Sequence, residues 1–177
     1  MGLDYRNLDA RTRELMLAEI DRDISESTLY LSDNLSPQGR AEYPDLIRDA
    51  ARSGSDETLA LAIRSRLNAR EKPRALKTGG FSKPPVMRSN AHQMLGEGEF
   101  NRFYIRALCV RAIQDGVPHV IVFRAKAVRR ARSASEEMIG QGMPAEGLLA
   151  DLRNRQGVDT ALGLPPGPNS GLSVQLP

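Results

Sequence analysis

The stretch EFNRFYIRALCVRAIQDGVPHVIVFRAK, residues 99–126, decides the fold. Phe100, Phe103, Tyr104, Ala107 and Leu108 recur at intervals of one, three and four, the spacing of a single helical face. Gly116 and Pro118 then end the helix. HVIVFRAK, residues 119–126, follows at once: Ile121, Phe123 and Ala125 alternate with Val120, Val122 and Arg124, the period of a strand. A core helix feeding directly into a strand predicts an α+β protein, mostly helical, with one small sheet built around strand 119–126 and extended Pro/Gly-rich arms. A lone strand leaves its backbone groups unpaired and must find an edge. Three partners are open: the arm near Val86 and Met87, the tail segment Leu172 to Leu176, or a strand of another chain.

Working outward, residues 1–68 read as an acidic helical unit. Asp9 caps a first helix from Ala10 to about Ile24, with Met16, Ile20 and Ile24 along one face. Pro44 opens a second helix running to Arg52, which Gly54 ends. Ser55 caps a third, with Asp56 and Glu57 in its first turn and Leu59, Ile63 and Leu67 inward, reaching about residue 68. Residues 69–98 read as a basic extended arm, because positions 69–90 combine three prolines, two glycines and six bases with one acid. Residues 99–157 are a helix-strand-helix core, in which Ser133 and Glu136 form a capping box and Pro144 opens a last helix carrying Leu148, Leu149 and Leu152. The remainder, 158–177, dense in Pro and Gly, reads as an extended C-terminal tail.

A net charge of only +3 hides three blocks of opposite sign: −6 over residues 1–63, +12 over 64–132 and −3 over 133–177. Separation of this kind attracts an anionic partner or lets neighbouring chains neutralise one another. The longest apolar run is five residues, Leu59 to Ile63, which excludes a membrane-spanning helix, and MGLDYRNLDA lacks the apolar stretch of a signal peptide. The expected setting is therefore cytoplasmic during synthesis, with no membrane contact.

Enzyme and metal signatures are missing. Cys109 sits among Ile105, Leu108 and Ile113 on a helix and reads as a small core residue, and the two histidines, His92 and His119, lie far from it in type of segment. One cysteine and two histidines cannot supply the usual four zinc ligands. TGGFSKPP lacks the Gly-Lys-Ser/Thr of a phosphate loop, and Gly96 and Gly98 stand beside Glu97 and Glu99, which would repel a phosphate, so they read as a turn before the helix. A helix-turn-helix across Gly54 fails because Asp49, Ser53 and Ser55 occupy positions that should be apolar. No cofactor and no enzymatic activity are expected.

What remains is the basic block. Arg70, Lys72, Arg74, Lys77, Lys83 and Arg88 on the arm, with Arg124, Lys126, Arg129, Arg130 and Arg132 after the strand, are candidate anion or nucleic-acid contacts. Arg102 and Arg106 share a face of the core helix and belong to the same block. In the tail, Leu164, Leu172, Val174 and Leu176 are candidate docking residues for a partner.

The stretches LGEGEFNRFYIRALCVRAIQDG, residues 95–116, and ALGLPPGPNSGL, residues 161–172, resemble segments of uncharacterised proteins encoded by tailed phages and prophages. That resemblance implies a class: a non-enzymatic structural or assembly subunit, a virion component such as a capsid, neck or head-tail connector protein. Its arms would order on neighbouring subunits of a homo- or hetero-oligomer. The alternative is an accessory protein that binds nucleic acid without sequence preference, with DNA in contact with the basic block.

Overall fold

The computed structural model describes residues 2–128, 133–155 and 171–177. Along the described chain run helices α1 (Ala10–Ser25), α2 (Pro37–Ser53), α3 (Asp56–Arg64) and α4 (Ala91–Gln114), strand β1 (His119–Arg124), helix α5 (Ser133–Glu137), strand β2 (Gly142–Pro144), helix α6 (Ala145–Asn154) and strand β3 (Leu172–Gln175). The architecture is the mostly helical α+β class, with one three-stranded antiparallel sheet in the order β2-β1-β3.

Local chemistry explains the starts of the first three helices. The Asp9 carboxylate accepts from the Thr12 amide at 3.0 Å and starts α1. Ser55 and Thr58 cap α3 reciprocally: Ser55 Oγ accepts from the Thr58 amide, and Thr58 Oγ1 accepts from the Ser55 amide at 2.8 Å. Two starts differ from expectation. Helix α2 begins at Pro37, where Ser36 Oγ accepts from the Gly39 amide at 3.0 Å, so Pro44 lies inside the helix and does not open it. A capping serine followed by proline at the first helical position is the stronger signal, and Pro44 is tolerated at the expense of one backbone hydrogen bond. Helix α3 ends at Arg64, short of residue 68.

Helix α4 starts at Ala91, ahead of the expected Glu99, so Gly96 and Gly98 are helical. Gly96 is there because α3 crosses it closely: a Cβ at Gly96 would stand 2.8 Å from Ala60 N and 2.9 Å from Ala60 Cα, whereas one at Gly98 would meet nothing. The pair makes an internal control. Gly96→Val should destabilise by about 1–3 kcal/mol through overpacking, while Gly98→Ala should gain up to about 1 kcal/mol of helix propensity. Urea unfolding followed by far-UV circular dichroism measures both, and equal effects would remove the close approach as the cause.

The core forms around α4. Phe100, Phe103, Tyr104, Ala107, Leu108 and Cys109 are buried against α1, α3 and α6, and Met16, Ile47, Leu59, Ile63, Leu148 and Val174 belong to the same cluster. Residues 1–68 and 99–157, read separately in the sequence, thus share one hydrophobic core. Cys109 is fully buried, and burial pushes its thiol up to about 12, which leaves it inert as a nucleophile at neutral pH.

Strand β1 finds both partners within the chain. It pairs with β2 through Val120↔Met143 and with β3 through Val122↔Val174 and Phe123↔Ser173. Of the three open alternatives, the tail supplies the neighbour. Leu172 and Val174, expected to dock on a partner, are 2% and 0% exposed inside the molecule's own sheet. Leu176 packs half-buried against the same core. Asn101 Nδ2 donates to Leu172 O at 3.0 Å, and the Leu176 amide donates to Asn7 Oδ1 at 3.0 Å, so side chains hold the backbone on either side of β3. Leu164 lies outside the described residues.

Candidate docking arm

The basic segment after α3 is neither a loose arm nor a partner for β1. It folds on itself as an irregular hairpin. Arg70 bridges Val86 and Ala75 bridges Phe81, both antiparallel. Around them the Glu71 amide donates to Pro85 O at 2.8 Å, Met87 to Ala69 O at 3.0 Å, Ser82 to Arg74 O at 2.8 Å and Leu76 to Gly80 O at 3.0 Å. Pro73, Pro84 and Pro85 remove the donors that a continuous ladder would need, which keeps the pairing to isolated bridges. At the tip Gly79 and Gly80 hold φ of +86° and +80°, a consecutive left-handed pair that glycine alone adopts cheaply.

The root is fixed to the loop before α2. Leu35 bridges Leu67, the Asn68 amide donates to Asn34 O at 2.8 Å, and Asn68 Nδ2 donates to Asp33 O and Leu35 O, each at 3.1 Å. Beyond the root the hairpin is open to solvent from Lys72 to Phe81 without interruption. Three apolar side chains are carried out with it: Phe81 is 72% exposed, Val86 71% and Leu76 47%.

The arm's six bases divide into two groups. Lys72 pairs with Asp33 at 2.7 Å, Arg88 with Glu71 at 2.6 Å, and Arg74 approaches Glu71 at 3.8 Å. The acids register these contacts: the Lys72 ammonium holds the Asp33 carboxyl below its ordinary range, and the Arg88 guanidinium does the same to Glu71. Arg70 donates to Pro84 O at 2.9 Å. Among the described residues no ion pair engages Lys77 or Lys83, the two bases nearest Phe81.

Elsewhere most of the block's described bases are paired inside the molecule, while Arg64 is exposed and makes no ion pair among the described residues. Arg124 pairs with Glu136 at 2.6 Å, and Lys126 pairs with Glu97. Arg102 and Arg106, expected on a basic surface, are buried in the core at 7% and 0% exposure. Arg106 donates to Glu19 Oε2 at 2.8 Å and to both Asp23 carboxylate oxygens at 2.6 and 2.8 Å, and Arg153 reaches Glu19 from α6. Arg102 donates to Arg155 O at 3.0 Å. Arg129, Arg130 and Arg132 lie outside the described residues. The structure therefore separates the candidate contacts: the hairpin carries exposed, unpaired charge beside apolar groups, while Arg124 and Lys126 serve internal pairs.

No described helix is long and apolar enough to cross a membrane, and no group of three or more His, Cys, Asp or Glu among the described residues is arranged to hold a metal ion. The sequence signal for the hairpin was the Gly79-Gly80 pair between Leu76 and Phe81, a turn flanked by apolar residues. Comparison with models of protein families, with curated proteins and with solved structures finds no match.

Proposed function

We propose that this chain is a non-enzymatic assembly subunit whose 69–88 hairpin engages a neighbouring protein; the sequence resemblance suggests a phage particle, at its capsid, neck or connector, as the setting. The observation that carries the reading is Phe81. It stands 72% exposed on a hairpin whose backbone is hydrogen-bonded internally, so the arm satisfies its own backbone yet leaves most of the Phe81 ring in solvent. Exposed apolar groups ringed by charge mark interaction surfaces.

A nucleic-acid reading has one specific support, since Lys77 and Lys83 flank an aromatic ring that could stack on a base. Protein is favoured because the other two exposed apolar residues, Leu76 and Val86, are aliphatic and have no stacking role, and because Asp33 and Glu71 already occupy three of the arm's six bases.

Sedimentation velocity on the pure chain, beside fluorescence anisotropy with a short DNA duplex, tests the choice. Phe81→Ser is expected to weaken association about tenfold or more, the effect of losing one buried anchor, with little duplex binding in either protein. A salt-insensitive monomer would overturn the proposal. So would a monomer that binds duplex with a steep salt dependence, made shallower by Lys77→Glu with Lys83→Glu.

A further inference from the structure

At the far end of α4 from the hairpin lies a groove of about 420 Å³. Ile113, Val117, Pro118 and Pro144 give it apolar walls, and His119 and Glu146 add polar groups. Ile113 is 39% exposed there. Among the described residues Glu146 makes no ion pair and no hydrogen bond through its side chain, which leaves a free negative charge beside an apolar recess.

The hairpin presents the complementary surface: a phenyl ring and aliphatic neighbours beside two lysines without ion pairs. The two features lie at opposite ends of one element. The hairpin enters α4 at Ala91, and the groove is lined by Ile113 near the last residue of a 24-residue helix, about 33 Å away at the rise of an α-helix. Phe81 does not line the groove of its own chain, and remains exposed.

We propose that the Phe81 hairpin of one molecule seats in the Ile113–Pro144 groove of a second copy of this chain, with Lys77 and Lys83 drawn to Glu146. The inference rests on the assembly reading and names its partner. Because the projecting surface and the receiving one are different patches, a single contact leaves one hairpin and one groove free. Head-to-tail contacts repeat, giving a ring where the rotation closes and a filament where it does not. Where two copies seat their hairpins in each other's grooves, the same contact closes as a symmetric dimer.

Mixing two defective chains tests this. Phe81→Ser disables the hairpin and leaves the groove; Glu146→Lys with Ile113→Asp disables the groove and leaves the hairpin. All three positions are exposed, and thermal unfolding of each variant checks that the fold is kept. Sedimentation equilibrium of the wild type is expected to show a dimer or a larger species. Each variant alone should be monomeric at concentrations where the wild type associates, and their equimolar mixture should form 1:1 dimers and nothing larger. Two results overturn the inference: association that Phe81→Ser abolishes but the groove variant leaves intact, or a mixture that stays monomeric while the wild type associates. Either leaves the hairpin's assembly role standing with its receptor elsewhere. A wild type that is monomeric throughout removes the assembly role as well.

Discussion

Arg106→Ala is expected to lower the unfolding free energy by about 3–5 kcal/mol, the cost of breaking a buried ion-pair network by removing one of its partners. Arg106 is fully buried and satisfies Glu19 and Asp23, themselves 5% and 3% exposed, on the facing side of α1. Arg153 also holds Glu19, so that acid keeps one base, while Asp23 loses the two hydrogen bonds that Arg106 donates to it. A domain of this kind has only about 5–15 kcal/mol in total, so the melting temperature should fall by about 6–20 °C at the usual 2–4 °C per kcal/mol. The pH dependence provides a second readout. Burial alone would raise the Glu19 carboxyl, but the Arg153 and Arg106 guanidinium groups outweigh it and hold the group below its ordinary range. Its contribution is therefore complete above the unfolded glutamate value of about 4.3 and is lost as the pH falls through the lower folded value. Without Arg106 part of that depression goes, and acid unfolding should move to higher pH. Urea and acid titrations measure the two effects, and a variant as stable as the wild type would show that the network is dispensable.

Removing residues 172–177 is expected to cost about 3–6 kcal/mol, because Leu172 and Val174 are both fully buried and each such side chain contributes about 1.5–3 kcal/mol. The loss also leaves one whole edge of β1 without its hydrogen-bonding neighbour. Thermal unfolding of the shortened chain should be weakly cooperative, and the full-length Val174→Asp variant should reproduce most of the effect by placing a carboxylate in the core. A tail that served only to dock on a neighbour would leave the melting temperature of the isolated chain unchanged, and that result would refute the sheet-closing role. The same measurement thus separates two readings that Pro- and Gly-rich composition alone cannot.

Where sequence and structure agree, the determinant is local. Asp9 and Ser55 cap their helices through contacts three residues away, and the alternation of Val120 to Phe123 needs no distant partner to be recognised as a strand. Where they differ, the determinant is a residue far along the chain. Gly96 and Gly98 resemble a turn until Ala60 is known to lie against the first of them. Arg106 looks like part of a basic surface until Glu19 and Asp23 arrive from α1. One signal for that pair was legible: Met16, Glu19, Ile20 and Asp23 fall at positions that share one helical face, so two acids stand on the stripe that must be buried. Acids on an apolar stripe call for a buried base. The arm was legible in composition and charge, but its self-pairing depended on bridges between Arg70 and Val86 and between Ala75 and Phe81.

The middle strand of the sheet also orders events during synthesis. Val122 leaves the ribosome long before Val174, the residue it faces across the ladder, and β2 offers only three residues in the interval. Helices α1 to α4 can collapse as they emerge, yet one side of β1 stays open until residues 172–175 have been made. An exposed strand edge on a half-closed core is a site for misassociation between nascent chains. Conditions that slow translation between the codons for Arg124 and Leu172 should therefore lower the yield of correctly folded protein more than the same delay placed earlier.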